Sequence, residues 1–274
     1  MEKKRILIFG GTGFLGQALY KELGPYFDTY ATYCNARRAF EGNGQFVHYD
    51  MLEDDSYALL EEIKPHVIIS ALRGDFGAQI QAHTHMVEYL GRHPGQLIFL
   101  SSANVFDAYS KYPSYEYDKT LSESIYGRLK IRIENMLLRL PQSRMLLVRL
   151  PMVFGNTSPR VKEIEQALQN REAIEVFPNL VMNVTCDDKL SQQIHYMINR
   201  SLSGIYHLGS RDLVHHEDFI KEVCHQLGTT LPLLKRVYTT NEERYLAVLP
   251  KHRLLPKNLQ FVCQDVIDLM IPRK

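Results

Sequence analysis

Ile6-Leu7-Ile8-Phe9-Gly10-Gly11-Thr12-Gly13-Phe14-Leu15-Gly16 is the stretch on which the reading of the chain turns. Four apolar, β-favouring residues run straight into a GxxGxxG pattern, and helix-compatible sequence continues through Leu23. That is a strand, a tight turn and a helix. Glycines let the turn close and let the backbone approach a pyrophosphate, while the helix start offers unpaired N–H groups and partial positive charge. Gly10, Thr12, Gly13, Phe14, Leu15 and Gly16 are therefore candidate contacts to a dinucleotide. The plainer alternative is a glycine-rich turn that holds nothing.

Working outward, extended stretches are expected near Thr29 to Tyr33 and Phe46 to Tyr49, then a helix from about Asp55 to Ile63. Val67-Ile68-Ile69 and Leu97 to Leu100 are unbroken apolar runs, as in strands buried on both faces. A helix from about Gln79 to Gly91 separates them. Tyr126 to Leu140 reads as a long helix and Met145 to Val148 as a further strand. This alternation predicts an α/β chain with a Rossmann-type, doubly wound parallel sheet. After Pro151 the pattern loosens. Helices are expected around Val161–Asn170, Asp187–Arg200 and His216–Gln226, with short extended pieces at Ile174–Phe177 and Ile205–Leu208. The division is thus 1–150 for an NADP(H)-binding Rossmann domain and 151–274 for a smaller substrate-binding lobe, which can return strands to the main sheet.

NAD-binding chains of this type place an acidic residue about 20 residues past the glycines, on the ribose 2′-hydroxyl. Here that region is Thr32-Tyr33-Cys34-Asn35-Ala36-Arg37-Arg38, with no carboxylate and two arginines. A guanidinium suits a 2′-phosphate, so Arg37 and Arg38 favour NADP(H) over NAD(H). Asp50 is a candidate for the adenine amino group, or else a turn or capping aspartate. Met51 beside it, and Ala71 just past the Val67 run, are further expected cofactor contacts.

Tyr126-Gly127-Arg128-Leu129-Lys130 is a YxxxK pair, whose i, i+4 spacing puts both side chains on one helix face. A free tyrosine ionises near pH ~10, so acid–base work at neutral pH needs a neighbouring cation. Ser102 ends the Leu97–Ser101 run, where open α/β sheets place their ligands. Its hydroxyl can polarise a carbonyl; capping is its structural alternative, and Ser101 its nearest rival.

The set GGTGFLG, SSANVFD, YGRLK and VRLPMVFG, in this order and spacing, resembles the extended short-chain dehydrogenase/reductases that act on nucleotide sugars. The likeness covers most of the chain and is clearest to about residue 155. It is greatest to the dTDP-4-dehydrorhamnose reductases, whose second lobe Asn183 to Asp188 and Gly204 to Gly209 also resemble. The resemblance implies Ser102 as the catalytic hydroxyl, Tyr126 as proton donor and Lys130 as the ribose-binding lysine, the three forming the catalytic set, with Tyr126 and Lys130 also contacting the cofactor. It also places Ala103, Asn104 and Met152 against substrate, where those reductases carry an acidic residue, an aromatic one and a tryptophan. His83 falls near the asparagine usual in the preceding helix. Ala103-Asn104 is not the Asp-Glu pair of the dehydratases. The expected activity is NADP(H)-dependent reduction of a carbonyl, a 4-keto nucleotide sugar. Two alternatives stand beside it: a nucleotide-sugar 4-epimerase with bound NAD, and a non-catalytic NADP(H)-binding regulatory subunit.

Composition is consistent with this reading. A net charge of +1 over 274 residues gives no broad field for nucleic acid or an anionic membrane. Cys34, Cys186, Cys224 and Cys263 have no CxxC or zinc spacing, and read as reduced thiols. The apolar run behind Met1-Glu2-Lys3-Lys4-Arg5 is too short for a leader, and no membrane span is expected, which together point to the cytoplasm. His83 and His85, at i, i+2, do not share a helix face, and no HExxH occurs, so no metal is expected. Tyr109, Tyr112, Tyr115 and Tyr117 are candidates for a substrate cleft, and Arg160, Lys162 and Arg253 for a diphosphate. A homo-oligomer is left open.

Overall fold

The computed structural model describes residues 3–35, 40, 42–228 and 232–270. The chain divides into two compact units, each assembled from three segments. The first comprises Met1–Ser101, Arg128–Val148 and Ser191–Tyr206; the second comprises Ser102–Gly127, Arg149–Leu190 and His207–Lys274.

The first unit is built on a seven-stranded sheet. In chain order its strands are β1 (Arg5–Phe9), β2 (Asp28–Tyr33), β3 (Phe46–His48), β4 (Val67–Ser70), β5 (Gln96–Ser102), β6 (Met145–Leu150) and one later strand, Gly204–His207. Across the sheet they run β3–β2–β1–β4–β5–β6 and then Gly204–His207 at the far edge. The β1–β2, β2–β3, β1–β4 and β4–β5 pairs are all parallel, with Phe9 opposite Ser70. This is the doubly wound order expected from the alternating pattern. Its switch point lies between β1 and β4, where the chain leaves in opposite directions across the sheet.

Helices α1 (Phe14–Leu23), α2 (Ser56–Ile63), α3 (Phe76–Arg92) and α4 (Ile125–Leu137) connect these strands. Asp55 and Asp75 cap α2 and α3 by accepting from the backbone N–H groups of Tyr57 and Ala78. Leu7, Phe9, Ile68, Leu97 and Phe99 from the sheet pack with Met86, Leu90, Leu129 and Ile133 from α3 and α4 in one buried cluster.

The second unit has its own core. Phe154, Val161, Ile164, Val176, Met182, Phe219, Val223, Phe261 and Val266 form it. Its regular elements include helices Pro159–Asn170, His216–Gln226 and Cys263–Leu269, and several strands of two or three residues. Ser158 caps the first of these helices on Val161 N–H, with Pro159 in its first turn.

Candidate functional site

The glycine turn after β1 lies in the first unit. Gly10 has φ +77°, a left-handed conformation that side-chain-bearing residues seldom adopt, and its carbonyl accepts from Gly13 N–H at 3.0 Å. A Cβ at Gly16 would stand 2.1 Å from the Gly10 carbonyl oxygen, so α1 reaches this close to the turn only without a side chain. Thr32 holds the turn from β2, its hydroxyl accepting from Gly10 N–H at 2.9 Å.

Gly13 occupies the N-cap of α1, where no side chain bonds the first N–H groups, and the first turn has no acidic residue. Such a helix start is suited to an anion. Gly10 also lies against the segment after β4, since a Cβ there would be 2.8 Å from the Ala71 carbonyl oxygen. Two of the expected cofactor contacts thus meet at the switch point. Met51 approaches the same segment further on, its Cε 3.0 Å from the place a Cβ would take on Gly74.

Lys130 belongs to the same unit. Its side chain is 5% exposed, and Nζ donates to the Leu100 carbonyl at 3.2 Å and stands 4.6 Å from the Phe99 ring centroid. Burial pushes the ammonium down to about 8; Glu134, one turn on, pulls it back up, and Arg73 pushes it further down. Ser101 is fully engaged nearby, donating to a Glu134 carboxylate oxygen at 2.5 Å. His83 is buried, and burial pushes its imidazole down to about 4, so it is neutral near pH 7. Its Nδ1 lies 2.6 Å from the Gln79 carbonyl and its Nε2 2.8 Å from the Ser70 hydroxyl. A carbonyl only accepts, so Nδ1 carries the proton and Nε2 accepts from Ser70.

Ser102, Ala103, Asn104, Tyr126 and Met152 belong to the second unit. Ser102 caps a single turn of 3-10 helix, Ala103–Phe106; its hydroxyl accepts from Asn104 N–H at 3.2 Å and donates to Asn104 Oδ1 at 2.9 Å. Capping, its structural alternative, is therefore realised, with the side chain still half-exposed.

Asp107 closes the same substructure. One carboxylate oxygen accepts from Glu123 N–H at 2.7 Å and the other from the Ser122 hydroxyl at 2.9 Å, tying down the approach to α4. Ser124 then accepts from Gly127 N–H at 3.0 Å in the first turn. A Cβ on Gly127 would lie 2.0 Å from Ser122 Oγ and 2.3 Å from the Asn104 carbonyl oxygen. Only glycine lets α4 start so close to the turn that Ser102 caps. Tyr126, the residue before it, is 43% exposed.

Sequence reasoning had passed over Gly127, Asp107 and Glu134. The signals were present: a glycine beside the tyrosine, an aspartate closing SSANVFD, and a carboxylate at i+4 from the lysine.

The other expected contacts differ in their surroundings. Asp50 makes a turn, accepting from Leu52 N–H at 3.0 Å. Ala103 is buried, while Asn104 and Met152 are half-buried. Arg37 and Arg38 lie outside the described residues. Tyr109, Tyr112 and Tyr117 are exposed, and Tyr115 is partly covered by Lys251, 4.9 Å from its ring. Between those tyrosines the buried Glu116 carboxylate accepts from the backbone N–H groups of Lys251, His252 and Arg253. Arg160 lines a cavity of about 240 Å³ with Glu163, Glu175 and His216. Lys162 is exposed.

His85 bonds Ser56, and its ring lies beside Asp55. Among the described residues no cluster of His, Cys, Asp or Glu could hold a metal ion. Nor is any helix among them long and apolar enough to cross a membrane.

The family model of the RmlD substrate binding domain matches residues 4–258. The chain is 26% identical over 235 residues to methionine adenosyltransferase 2 subunit beta of Danio rerio, which covers 76% of this chain and 69% of that one. It spans about half the length of the Rattus norvegicus protein of the same name. It is 22% identical over 265 residues to the dTDP-4-dehydrorhamnose reductase of Aggregatibacter actinomycetemcomitans, covering 86% of this chain and 85% of that. Among solved structures, the dTDP-4-dehydrorhamnose reductase of Bacillus anthracis in complex with NADP superposes with a TM-score of 0.78 over the full length of both chains, at 20% identity.

Proposed function

This chain belongs to the RmlD substrate binding domain family, and on that premise we propose that it is an NADP(H)-dependent reductase of a keto group on a nucleotide sugar. The observation that carries the reading is the YxxxK pair realised on one helix, α4. Its lysine is buried against the end of β5 and its tyrosine is exposed.

The residues present fit a dinucleotide. The turn at Gly10 to Gly16 has no side chain at its three closest backbone approaches, and α1 begins without a side-chain cap. Gly10, Thr12, Gly13, Phe14, Leu15 and Gly16 would hold the pyrophosphate, with Asp50, Met51 and Ala71 further along the cofactor. When bound, NADPH supplies the hydride. Tyr126 donates its phenolic proton to the oxygen on which negative charge develops, and Ser102 hydrogen-bonds that oxygen. Lys130 binds the ribose and, as a cation one turn from Tyr126, makes the phenol a better acid.

Arg37 and Arg38 would meet a 2′-phosphate, and the NADP in the Bacillus anthracis relative supports that preference. Residues 1–150 would then serve the cofactor, and 151–274 the substrate with Ala103, Asn104 and Met152. The four free cysteines suit a reducing compartment, the cytoplasm.

A second reading has its own support. The methionine adenosyltransferase relatives are named as subunits, which favours a cofactor-binding regulatory partner. Incubation of purified protein with NADPH and a panel of 4-keto nucleotide sugars separates the readings. NADPH consumption with one of them supports the reductase. NAD already trapped in the protein points to a 4-epimerase. A stoichiometric protein partner with no turnover on the panel points to the regulatory subunit.

A further inference from the structure

Lys130 carries a charge in a place that disfavours charge. Its ammonium donates to the Leu100 carbonyl and lies against the face of Phe99, with almost no exposure to water. Burial on this scale favours the neutral amine over the ammonium. The charged and titratable groups around it come from several elements: Arg73 from the segment after β4, His83 from α3, and Glu134 from its own helix, one turn on; Tyr126 lies one turn before it in the sequence of that helix.

Of these, Arg73 repels the ammonium and His83 is neutral. Glu134 attracts it. Glu134 is 1% exposed, and Ser101 clamps its carboxylate from the end of β5 at 2.5 Å. Leu100, which accepts from the lysine, is the neighbouring residue on that strand. One strand end therefore holds both side chains, four residues apart on the helix.

We propose that Glu134, clamped by Ser101, is a positioning residue that keeps Lys130 protonated, so that the lysine can bind the cofactor ribose and favour ionisation of Tyr126. The inference rests on the ribose-binding role given to Lys130 above.

The test is NADPH affinity of the full chain, measured by calorimetry from about pH 6.5 to 10, a span that brackets the lysine's titration. The wild-type protein should lose affinity as pH rises through about 8, where Lys130 gives up its proton. Glu134→Gln should move that loss to lower pH by about one unit or more, the scale set by a carboxylate one helical turn away. Glu134→Asp keeps the charge and should return the midpoint most of the way. Lys130→Ala should bind weakly at every pH, with no midpoint.

A side chain that merely fills space would lower affinity evenly and leave the midpoint in place; that result for Glu134→Gln overturns the proposal. If Glu134→Gln does not fold, Glu134→Asp decides, because its shorter side chain should still shift the midpoint to lower pH by a few tenths of a unit. An unmoved midpoint there overturns it equally. If Lys130→Ala binds NADPH as well as wild type at every pH, the ribose-binding role fails, and this inference with it. A weak Lys130→Ala together with an unmoved Glu134→Gln leaves that role intact and removes only the part given to Glu134.

Discussion

Two adjacent serines at the end of β5 are held in different ways, and the proposed function gives them different parts. Ser101 is buried and gives its proton to Glu134, whereas Ser102 is half-exposed and caps the turn that follows. From sequence the two were rivals, because adjacent hydroxyls at a strand end cannot be ranked without knowing which faces the helix. Ser102→Ala should therefore cost on the order of 10²-fold in kcat/KM, the scale for one donor to a developing oxyanion. Loss of the cap should add about 1 kcal/mol of destabilisation. Ser101→Ala should register chiefly as stability, about 1–3 kcal/mol, because it strips a donor from a buried carboxylate. Steady-state kinetics beside urea unfolding of both variants checks the pair. Equal kinetic losses at the two positions would remove the distinction.

At the scale of elements, α4 shows how a contact can outweigh a propensity. Gly127→Ala in a helix would ordinarily gain up to about 1 kcal/mol. Here the new Cβ meets Ser122 Oγ and the Asn104 carbonyl well inside contact distance, so backbone must move. The expected outcome is a loss of about 1–3 kcal/mol in urea unfolding, with a fall in kcat as Tyr126 shifts. A stabilised variant would show that the helix start has room to spare.

The same element marks the limits of reading from sequence. Its existence and its YxxxK face were legible from spacing. Its end was not: the helix stops at Leu137 rather than Leu140, since Pro141 lies just beyond. β1, β4 and β5 were legible because strands buried on both faces are unbroken apolar runs. β5 extends to Ser102, past the apolar run into its own serines. α3 starts at Phe76, three residues before the periodicity suggested, because Asp75 supplies the cap. In the second unit, strands such as Val184–Cys186 and Arg244–Leu246 and the helix Cys263–Leu269 went unread. Three-residue strands and a seven-residue helix carry too little periodicity to register, and their pairing is decided by distant partners.

The whole molecule carries buried histidines that set its tolerance of acid. Burial pushes His83 and His216 down to about 4 and also lowers His207, with Arg149 adding to the effect on the last. An unfolded histidine titrates near ~6.5, so below that pH the unfolded chain binds protons that the folded one refuses. Stability is then complete above about pH 6.5 and declines as pH falls towards 4. His83 alone accounts for on the order of 3 kcal/mol over that interval. Urea midpoints measured between about pH 7 and 4.5, above the range where most carboxylates titrate, should fall steadily. A flat profile would mean that these rings are hydrated.

The family match and the doubly wound sheet stand behind the proposed reductase. The most direct test of its proposed chemistry compares wild type with Tyr126→Phe, following the loss of NADPH absorbance with a 4-keto nucleotide sugar and, in parallel, NADPH affinity. The account predicts turnover by wild type, a loss on the order of 10²-fold or more in the variant, and nearly unchanged cofactor affinity. Full activity in Tyr126→Phe, or no NADPH consumption by the wild-type protein with any such substrate, would contradict it.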